Sequence, residues 1–109
     1  MADFGINHGG GVMKCFVYIL ISKKDSNFYV GMTKNLELRL KSHLEGKAES
    51  TKNRRPLYLT GYEVYFNKYD AAAREKFLKS SDGRKEIRIR FKVELARHSP
   101  GKLLGNKFE

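Results

Sequence analysis

The sequence predicts an α+β domain in which helices flank a three-stranded, mainly antiparallel sheet. The chain has 109 residues, which is the size of one domain with one modest core. Apolar runs at 14–21, 28–31 and 57–66 have the length of strands, and segments with helical spacing of apolar residues follow the second and third runs. The resulting order, strand–strand–helix–strand–helix–helix, is typical of helices packed against such a sheet.

The first two apolar runs predict a β-hairpin. The run 14–21 is almost continuously apolar, as in a central strand that is buried on both faces. Asp25, Ser26 and Asn27 are turn-forming residues between the two runs. If the turn has an even number of residues, Tyr18 and Tyr29 lie on the same face of the sheet, within reach of each other.

A helix is predicted after the hairpin. Either Thr33 or Asn35 is expected to cap it, and it is expected to end near Glu45 because Gly46 is a stop signal. Its apolar residues recur at every fourth position and predict the face that packs on the sheet.

Two polar residues of this helix border the apolar stripe formed by Leu36, Leu40 and Leu44. Arg39 and His43 are four positions apart and therefore lie together on one side of the stripe. From there, a guanidinium and an imidazole can point into a cleft beside the sheet. The alternative is a solvated arginine with a surface histidine, and the two tyrosines favour the site.

The segment 47–56 is a polar connection rich in cations. Lys52, Arg54 and Arg55 are candidates for contact with nucleic-acid phosphates, which mobile basic loops commonly contact without reading sequence. A merely solvated loop is an equal alternative.

The last third of the chain predicts two further helices. Asp70 is expected to cap a helix from Ala71 to about Ser80, with Glu75 at the edge of its apolar face. The segment 84–95 fits both helical spacing and strand alternation. We predict a helix there because cationic and acidic residues fill the polar positions.

The charge of the chain indicates a polyanionic partner. The net charge is +10 and the isoelectric point is about 9.8. Nucleic acid is the commonest partner of such a domain, and the alternative is a merely soluble basic protein. The single cysteine, Cys15, lies in an apolar run and is expected in the core. No apolar run approaches the length of a membrane span, so no membrane contact and a cytoplasmic location are expected.

The composition also predicts the domain boundaries. Residues 1–12 are glycine-rich and are expected to form a flexible arm. The folded domain is expected at 13–95, with a frayed tail at 96–109.

The spacing of these residues resembles the GIY-YIG nuclease superfamily, in its small single-domain type. The triplets FVY (16–18) and YVG (29–31) stand where that family has its two signature triplets. Arg39 and His43 resemble the motif on the family's following helix, and Glu75 resembles its metal-binding glutamate. The likeness covers roughly residues 14–92 and supports the same α+β fold.

The resemblance implies roles for five residues. Glu75 would hold one Mg²⁺ or Mn²⁺ ion, and Arg39 would bind the scissile phosphate. One of Tyr18 and Tyr29 would activate water while the other orients it, and His43 would assist. Because an unperturbed tyrosine has a pKa of about 10, a tyrosine base needs a neighbouring cation to work at neutral pH.

The leading functional hypothesis is a metal-dependent DNA endonuclease with weak intrinsic sequence specificity, in repair or recombination. A non-catalytic nucleic-acid-binding module on the same fold is the main alternative, and a protein directed at RNA is a third.

Overall fold

A computed structural model describes residues 14–98 and has the predicted α+β architecture. The strands are β1 (Cys15–Ser22), β2 (Asn27–Thr33) and β3 (Leu57–Tyr65). The helices are α1 (Leu36–Leu44), α2 (Lys68–Leu78), α3 (Ser81–Arg90) and α4 (Lys92–His98), and a short 3₁₀ turn spans Lys52–Arg54. The sheet order is β2-β1-β3 with both pairs antiparallel, so β1 is the predicted central strand.

Each face of β1 packs against different helices because its side chains alternate. On one face, Val17, Ile19 and Ile21 form the main core with residues of α2 and α3, including Leu78 and Ile87. On the other face, Tyr18 and Leu20 form a smaller cluster with Leu57, and Leu36 and Leu40 of α1 pack against it. Helix α1 is therefore held against the face that carries Tyr18.

The hairpin turn is tight and sets the register of β1 and β2. Ser26 adopts a left-handed conformation with φ of 58°, and the Asp25 carboxylate accepts a hydrogen bond from the Asn27 amide at 2.9 Å. Side chains of this type stabilise such turns. The resulting register pairs Leu20 with Tyr29 and Tyr18 with Gly31.

The cap residue predicted from the sequence is confirmed for one helix and wrong for another. Asn35 caps α1, since its side chain accepts from the Leu38 amide at 3.0 Å. The predicted cap of α2 was wrong. Helix α2 begins at Lys68 and Asn67 caps it, so Asp70 lies inside the first turn, where its charge still suits the helix dipole.

The segment 84–95 is helical, as predicted, but it is divided at Phe91. Helix α3 ends at Arg90, Phe91 is its C-cap residue, and α4 begins at Lys92. The ring of Phe91 lies so close to Gly61 of β3 that a Cβ atom on Gly61 would be 2.9 Å from the ring. The centroid of the Phe91 ring lies 6.3 Å from that of Phe28. The division therefore lets one aromatic side chain pack on the sheet.

An ion-pair network joins β3 to α2 and α3. Arg74 donates to both carboxylate oxygens of Glu63 at 3.0 and 3.1 Å and to Glu86 at 2.6 Å. Arg90 donates to Glu63 at 3.0 Å and also pairs with Glu86, and the Tyr65 hydroxyl donates to Glu63 at 2.6 Å. The network explains why an arginine lies within the apolar face of α2.

Two of the predicted terminal segments fall largely outside the described residues. The expected arm at 1–12 lies wholly outside them. Helix α4 reaches His98, three residues into the segment predicted as a frayed tail, and the rest of that tail lies outside.

Within residues 14–98, none of the helices has the length and apolar character that a membrane span requires.

Candidate active site

The two tyrosines meet on the face of the sheet that α1 covers. Tyr18 on β1 and Tyr29 on β2 are diagonal neighbours, with ring centroids 6.3 Å apart. The same-face prediction is therefore confirmed. Tyr18 is 1% exposed, whereas Tyr29 is only partly buried.

Gly31 of the second triplet makes room for the Tyr18 ring. A Cβ atom at Gly31 would overlap the Tyr18 hydroxyl and the adjoining ring carbons. Any larger residue at this position would displace the phenol, so the glycine is required by close packing.

Arg39 projects from α1 onto both phenols. Its Nε donates to the Tyr18 hydroxyl at 3.3 Å. The hydrogen bond to Tyr18 is the main cause that raises the pKa of the Arg39 guanidinium, burial opposes it, and Tyr29 adds a smaller favourable contribution. The guanidinium thus places a permanent charge on the Tyr18 hydroxyl, and Tyr29 acts on it as well.

His43 is fully buried one turn further along α1. Its Nε2 lies 2.8 Å from the Tyr18 hydroxyl, and its ring centroid lies 5.2 Å from that of Tyr29. Burial, and then the charge of Arg39, lowers the pKa of His43 to about 4, so the imidazole is neutral at pH 7.

The hydrogen-bond pattern indicates which nitrogen of His43 carries the hydrogen. Within the described residues, His43 Nε2 is the one acceptor within reach of the buried Tyr18 hydroxyl, so the phenol donates its hydrogen to Nε2 while its oxygen accepts from Arg39. Nδ1 then carries the ring hydrogen and donates to the hydroxyl of Thr51 at 2.6 Å.

Two hydroxyl residues that the sequence did not single out complete the cluster. Thr51 is fully buried against His43, and the Ser50 hydroxyl donates to the Tyr29 hydroxyl at 3.1 Å. Both lie in the segment 47–56, which the sequence analysis considered only for its cations. The adjacent Ser-Thr pair in a charged loop was the only available signal.

The phenol of Tyr18 is held in its neutral form. Burial is the largest cause that raises its pKa, the hydrogen bond from Arg39 opposes it, and the charges of Tyr29 and Glu75 raise it further. Tyr18 therefore serves the free protein as a donor to His43 and an acceptor from Arg39.

Glu75 projects from α2, which packs on the opposite face of the sheet. Its Oε2 lies 3.0 Å from Lys79 Nζ, and its side chain is 23% exposed. It makes no hydrogen bond to the phenols, the guanidinium or the imidazole among the described residues, yet its charge acts on the pKa of Tyr18. Among the described residues, Glu75 therefore has no direct contact with the cluster, and only its charge acts on Tyr18 through space.

A metal ion at this site would depend on a single carboxylate. Among the residues that the structure describes, no three His, Cys, Asp or Glu side chains are grouped to hold a metal. The oxygen of Glu75 suits Mg²⁺ or Mn²⁺, which retain several water ligands and need few protein ligands.

The three predicted loop cations all have protein partners. Arg54 pairs with Asp25 at 2.7 Å, and Lys52 pairs with Glu49 at 3.1 Å. Arg55 donates to the Glu45 carbonyl at 3.4 Å. The loop is therefore tied to the hairpin turn and to the end of α1.

Known proteins resemble the chain over the same region. Residues 14–88 match the protein family described as the GIY-YIG catalytic domain. A UPF0213 protein of Clostridium perfringens is 37% identical over 75 residues, which cover 68% of this chain and 80% of that protein. A UPF0213 protein of Staphylococcus haemolyticus is 36% identical over 77 residues, which cover 70% and 93%.

A solved relative is the UPF0213 protein BH0048 of Bacillus halodurans, determined by solution NMR. It is 34% identical, and the match covers 73% of this chain and 86% of that one with a TM-score of 0.46.

The matched region contains both tyrosine triplets and the residues Arg39, His43 and Glu75. The chain therefore belongs to the GIY-YIG catalytic-domain family of nucleases.

Proposed function

We propose that this protein is a metal-dependent endonuclease that hydrolyses DNA phosphodiester bonds with weak intrinsic sequence specificity. The observation that carries the proposal is the convergence of Tyr18, Tyr29 and the guanidinium of Arg39, whose Nε donates to the Tyr18 hydroxyl at 3.3 Å. Hydrolysis of a phosphodiester needs a cation for the charge of the transition state and a base for the attacking water. The cluster offers both.

Arg39 is the residue for the scissile phosphate. Its Nε is used by Tyr18, and the terminal nitrogens of the guanidinium would bind phosphate oxygens in the geometry that arginine favours. Because the charge of Arg39 lowers the pKa of His43, a bound phosphate that offsets this charge would make His43 a better proton acceptor.

Tyr29 is the better candidate for the general base. A base must meet the attacking water, and Tyr18 is buried with its oxygen engaged by Arg39 and His43. Tyr29 is more open, and its hydroxyl is contacted by Ser50 rather than by His43. In this assignment Tyr18 positions Arg39, and Ser50 orients the hydroxyl of Tyr29.

Glu75 would hold the divalent metal. A bound Mg²⁺ or Mn²⁺ ion would supply positive charge to the leaving oxygen. The ion pair with Lys79 competes for the same carboxylate. Metal binding would therefore require the lysine side chain to move away, which a long exposed side chain does readily.

DNA is the proposed substrate on the grounds of family membership and the net charge of +10. Lys52, Arg54 and Arg55 remain candidates for contacts with phosphates around the site. A role in DNA repair or recombination belongs to the same proposal.

A non-catalytic nucleic-acid-binding module is the second candidate. The observation that favours it is the ion pair of Glu75 with Lys79, which occupies the lone candidate metal ligand. Such a module would bind DNA with the same residues and cleave nothing.

Nicking of supercoiled plasmid with Mg²⁺ or Mn²⁺ separates the two candidates. The wild type and Lys79→Gln are expected to nick the plasmid, and Glu75→Gln is expected to be nearly inactive. Lys79→Gln is the matched control because both changes break the same ion pair, but only Glu75→Gln removes the carboxylate. Folded wild-type protein that binds DNA and nicks none with either metal would favour the binding module.

A further inference from the structure

Helix α1 borders an open groove that begins at the candidate active site. The groove has a volume of about 460 Å³, and its lining includes Arg39, Leu38, Lys41 and Ser42. This volume lies in the range of roughly 300–1,000 Å³ that is typical of ligand sites. Since Arg39 also contacts Tyr18, the groove and the candidate active site share a wall.

The positions of the lining residues on the helix define the shape of the groove. With about 100° per residue, Leu38 and Ser42 lie close together on the outer face of α1, and Arg39 and Lys41 flank them on opposite sides. Leu38 is 64% exposed and supplies an apolar surface to the groove. The floor of the groove is thus partly apolar and its two sides are cationic.

The charge of the groove is positive and largely uncompensated. Its one lining carboxylate, Glu45, is paired with the lining residue Lys47 at 3.2 Å. Lys41 is exposed and has no ion-pair partner among residues 14–98, and Arg39 contacts the phenol of Tyr18 and has no described carboxylate partner. An anion that enters the groove meets two cations and breaks no ion pair.

The loop cations differ from Lys41 in this respect. Arg54 has a bidentate contact with Asp25, and Arg55 is hydrogen-bonded to the end of α1. A phosphate would have to displace these contacts. The structure therefore offers a less obstructed path for an anionic chain across α1 than across the loop.

We propose that one strand of the DNA substrate crosses the outer face of α1 in this groove. This inference rests on the proposed function and places the path of the strand next to Arg39. Lys41 binds a phosphate that neighbours the scissile one, the Ser42 hydroxyl donates to the backbone, and Leu38 packs against a sugar. A nucleic-acid strand fits the groove because it alternates anionic phosphates with less polar sugars.

The salt dependence of DNA binding tests this placement without any need for cleavage. Binding of a short DNA duplex is measured by fluorescence anisotropy in EDTA, at several concentrations between about 50 and 200 mM salt. The proteins are the wild type, Lys41→Gln and Lys85→Gln. Lys85 is the matched control because it is an exposed lysine of α3, which packs on the opposite face of the sheet, and it has no described ion pair.

Loss of one phosphate contact has a defined signature. The slope of log K against log salt should become less steep by about 0.9 in Lys41→Gln and should not change in Lys85→Gln. Over this salt range, the wild type should lose about threefold more affinity than Lys41→Gln. Equal slopes for the wild type and Lys41→Gln, or equal changes in the two variants, would overturn the placement.

The two proposals fail in different ways. If the wild type binds DNA and the Lys41 change has no specific effect, the groove proposal is wrong and the proposed function stands. If the wild type binds no DNA at any salt concentration, both proposals are overturned.

Discussion

The Tyr18 hydroxyl lies 2.8 Å from Nε2 of His43, and both side chains are closed off from solvent. The Tyr18 hydroxyl also accepts a hydrogen bond from Arg39 Nε, and His43 Nδ1 is hydrogen-bonded to the hydroxyl of Thr51. The phenol, the imidazole and the threonine hydroxyl therefore form one buried chain that reaches from the sheet to the loop. In the proposed mechanism, this chain of hydrogen bonds holds Arg39 in position to bind a phosphate.

The two tyrosines should differ in their importance for cleavage. Tyr29→Phe removes the proposed base, and loss of a general base typically costs on the order of 10² to 10⁴ in rate. Tyr18→Phe removes a positioning hydroxyl and should be damaging but less so. Single-turnover plasmid nicking measures both rates, with Tyr62→Phe, an exposed tyrosine of β3, as control. A larger loss in Tyr18→Phe would assign the base to Tyr18 instead.

Arg39 should act mainly on the transition state. Arg39→Ala is expected to reduce kcat/KM for cleavage by a larger factor than it reduces DNA affinity, because Arg39 interacts more strongly with the negative charge that develops on the phosphoryl oxygens in the transition state than with the ground-state phosphate. Arg39→Lys keeps the charge, loses the planar fork and should give an intermediate rate. Equal losses in binding and cleavage would show that Arg39 contributes only to substrate binding.

Thr51 should matter through its hydroxyl rather than its volume. Thr51→Val has almost the same shape but leaves Nδ1 of the buried His43 without a partner, which typically costs about 1–3 kcal/mol of stability. Cleavage should also decrease, since the orientation of His43 and Tyr18 is no longer fixed. Thr51→Ser restores the hydroxyl and should recover the activity. Full activity in folded Thr51→Val would exclude the positioning role.

His43 should make stability depend on pH in the mildly acidic range. Its pKa is lowered from 6.5 to about 4, so the unfolded chain binds a proton more readily than the folded protein. The contribution of His43 is complete above pH 6.5 and is lost as the pH falls towards 4, at no more than about 1.4 kcal/mol per pH unit. Urea unfolding of the wild type and of His43→Gln across this range measures the difference between their free energies of unfolding. If the imidazole does not titrate, this difference should be the same at every pH.

Glu63 should add a second loss of stability in stronger acid. Burial opposes its ionisation, but hydrogen bonds from Arg74, Tyr65 and Arg90 outweigh burial and lower its pKa from 4.5 to about 2. Its contribution is therefore present above pH 4.5 and is lost as the pH falls towards 2.

The variant Glu63→Gln gives the matched measurement for this network. It should be less stable than the wild type at pH 6, and the two free energies of unfolding should converge as the pH falls. A constant difference over the whole range would show that the charge of Glu63 does not stabilise the fold.

The sequence by itself determined the elements of the fold and most of the candidate site. The period of two in β1 and β2 and the period of about 3.6 in α1 are properties of neighbouring residues, so they show which side chains share a face. That places Tyr18 beside Tyr29 and Arg39 beside His43, and the packing of α1 on the sheet then brings the two pairs together.

Only the tertiary structure decided which distant residues touch. The pairing of Thr51 with His43, of Arg74 with Glu63 and Glu86, and the division of the last helix at Phe91 all depend on contacts across the fold. The partners of the loop cations, and hence the open groove at Lys41, depend on them as well. A side chain's partner is chosen by packing among elements far apart in the chain, and local periodicity carries no information about that choice.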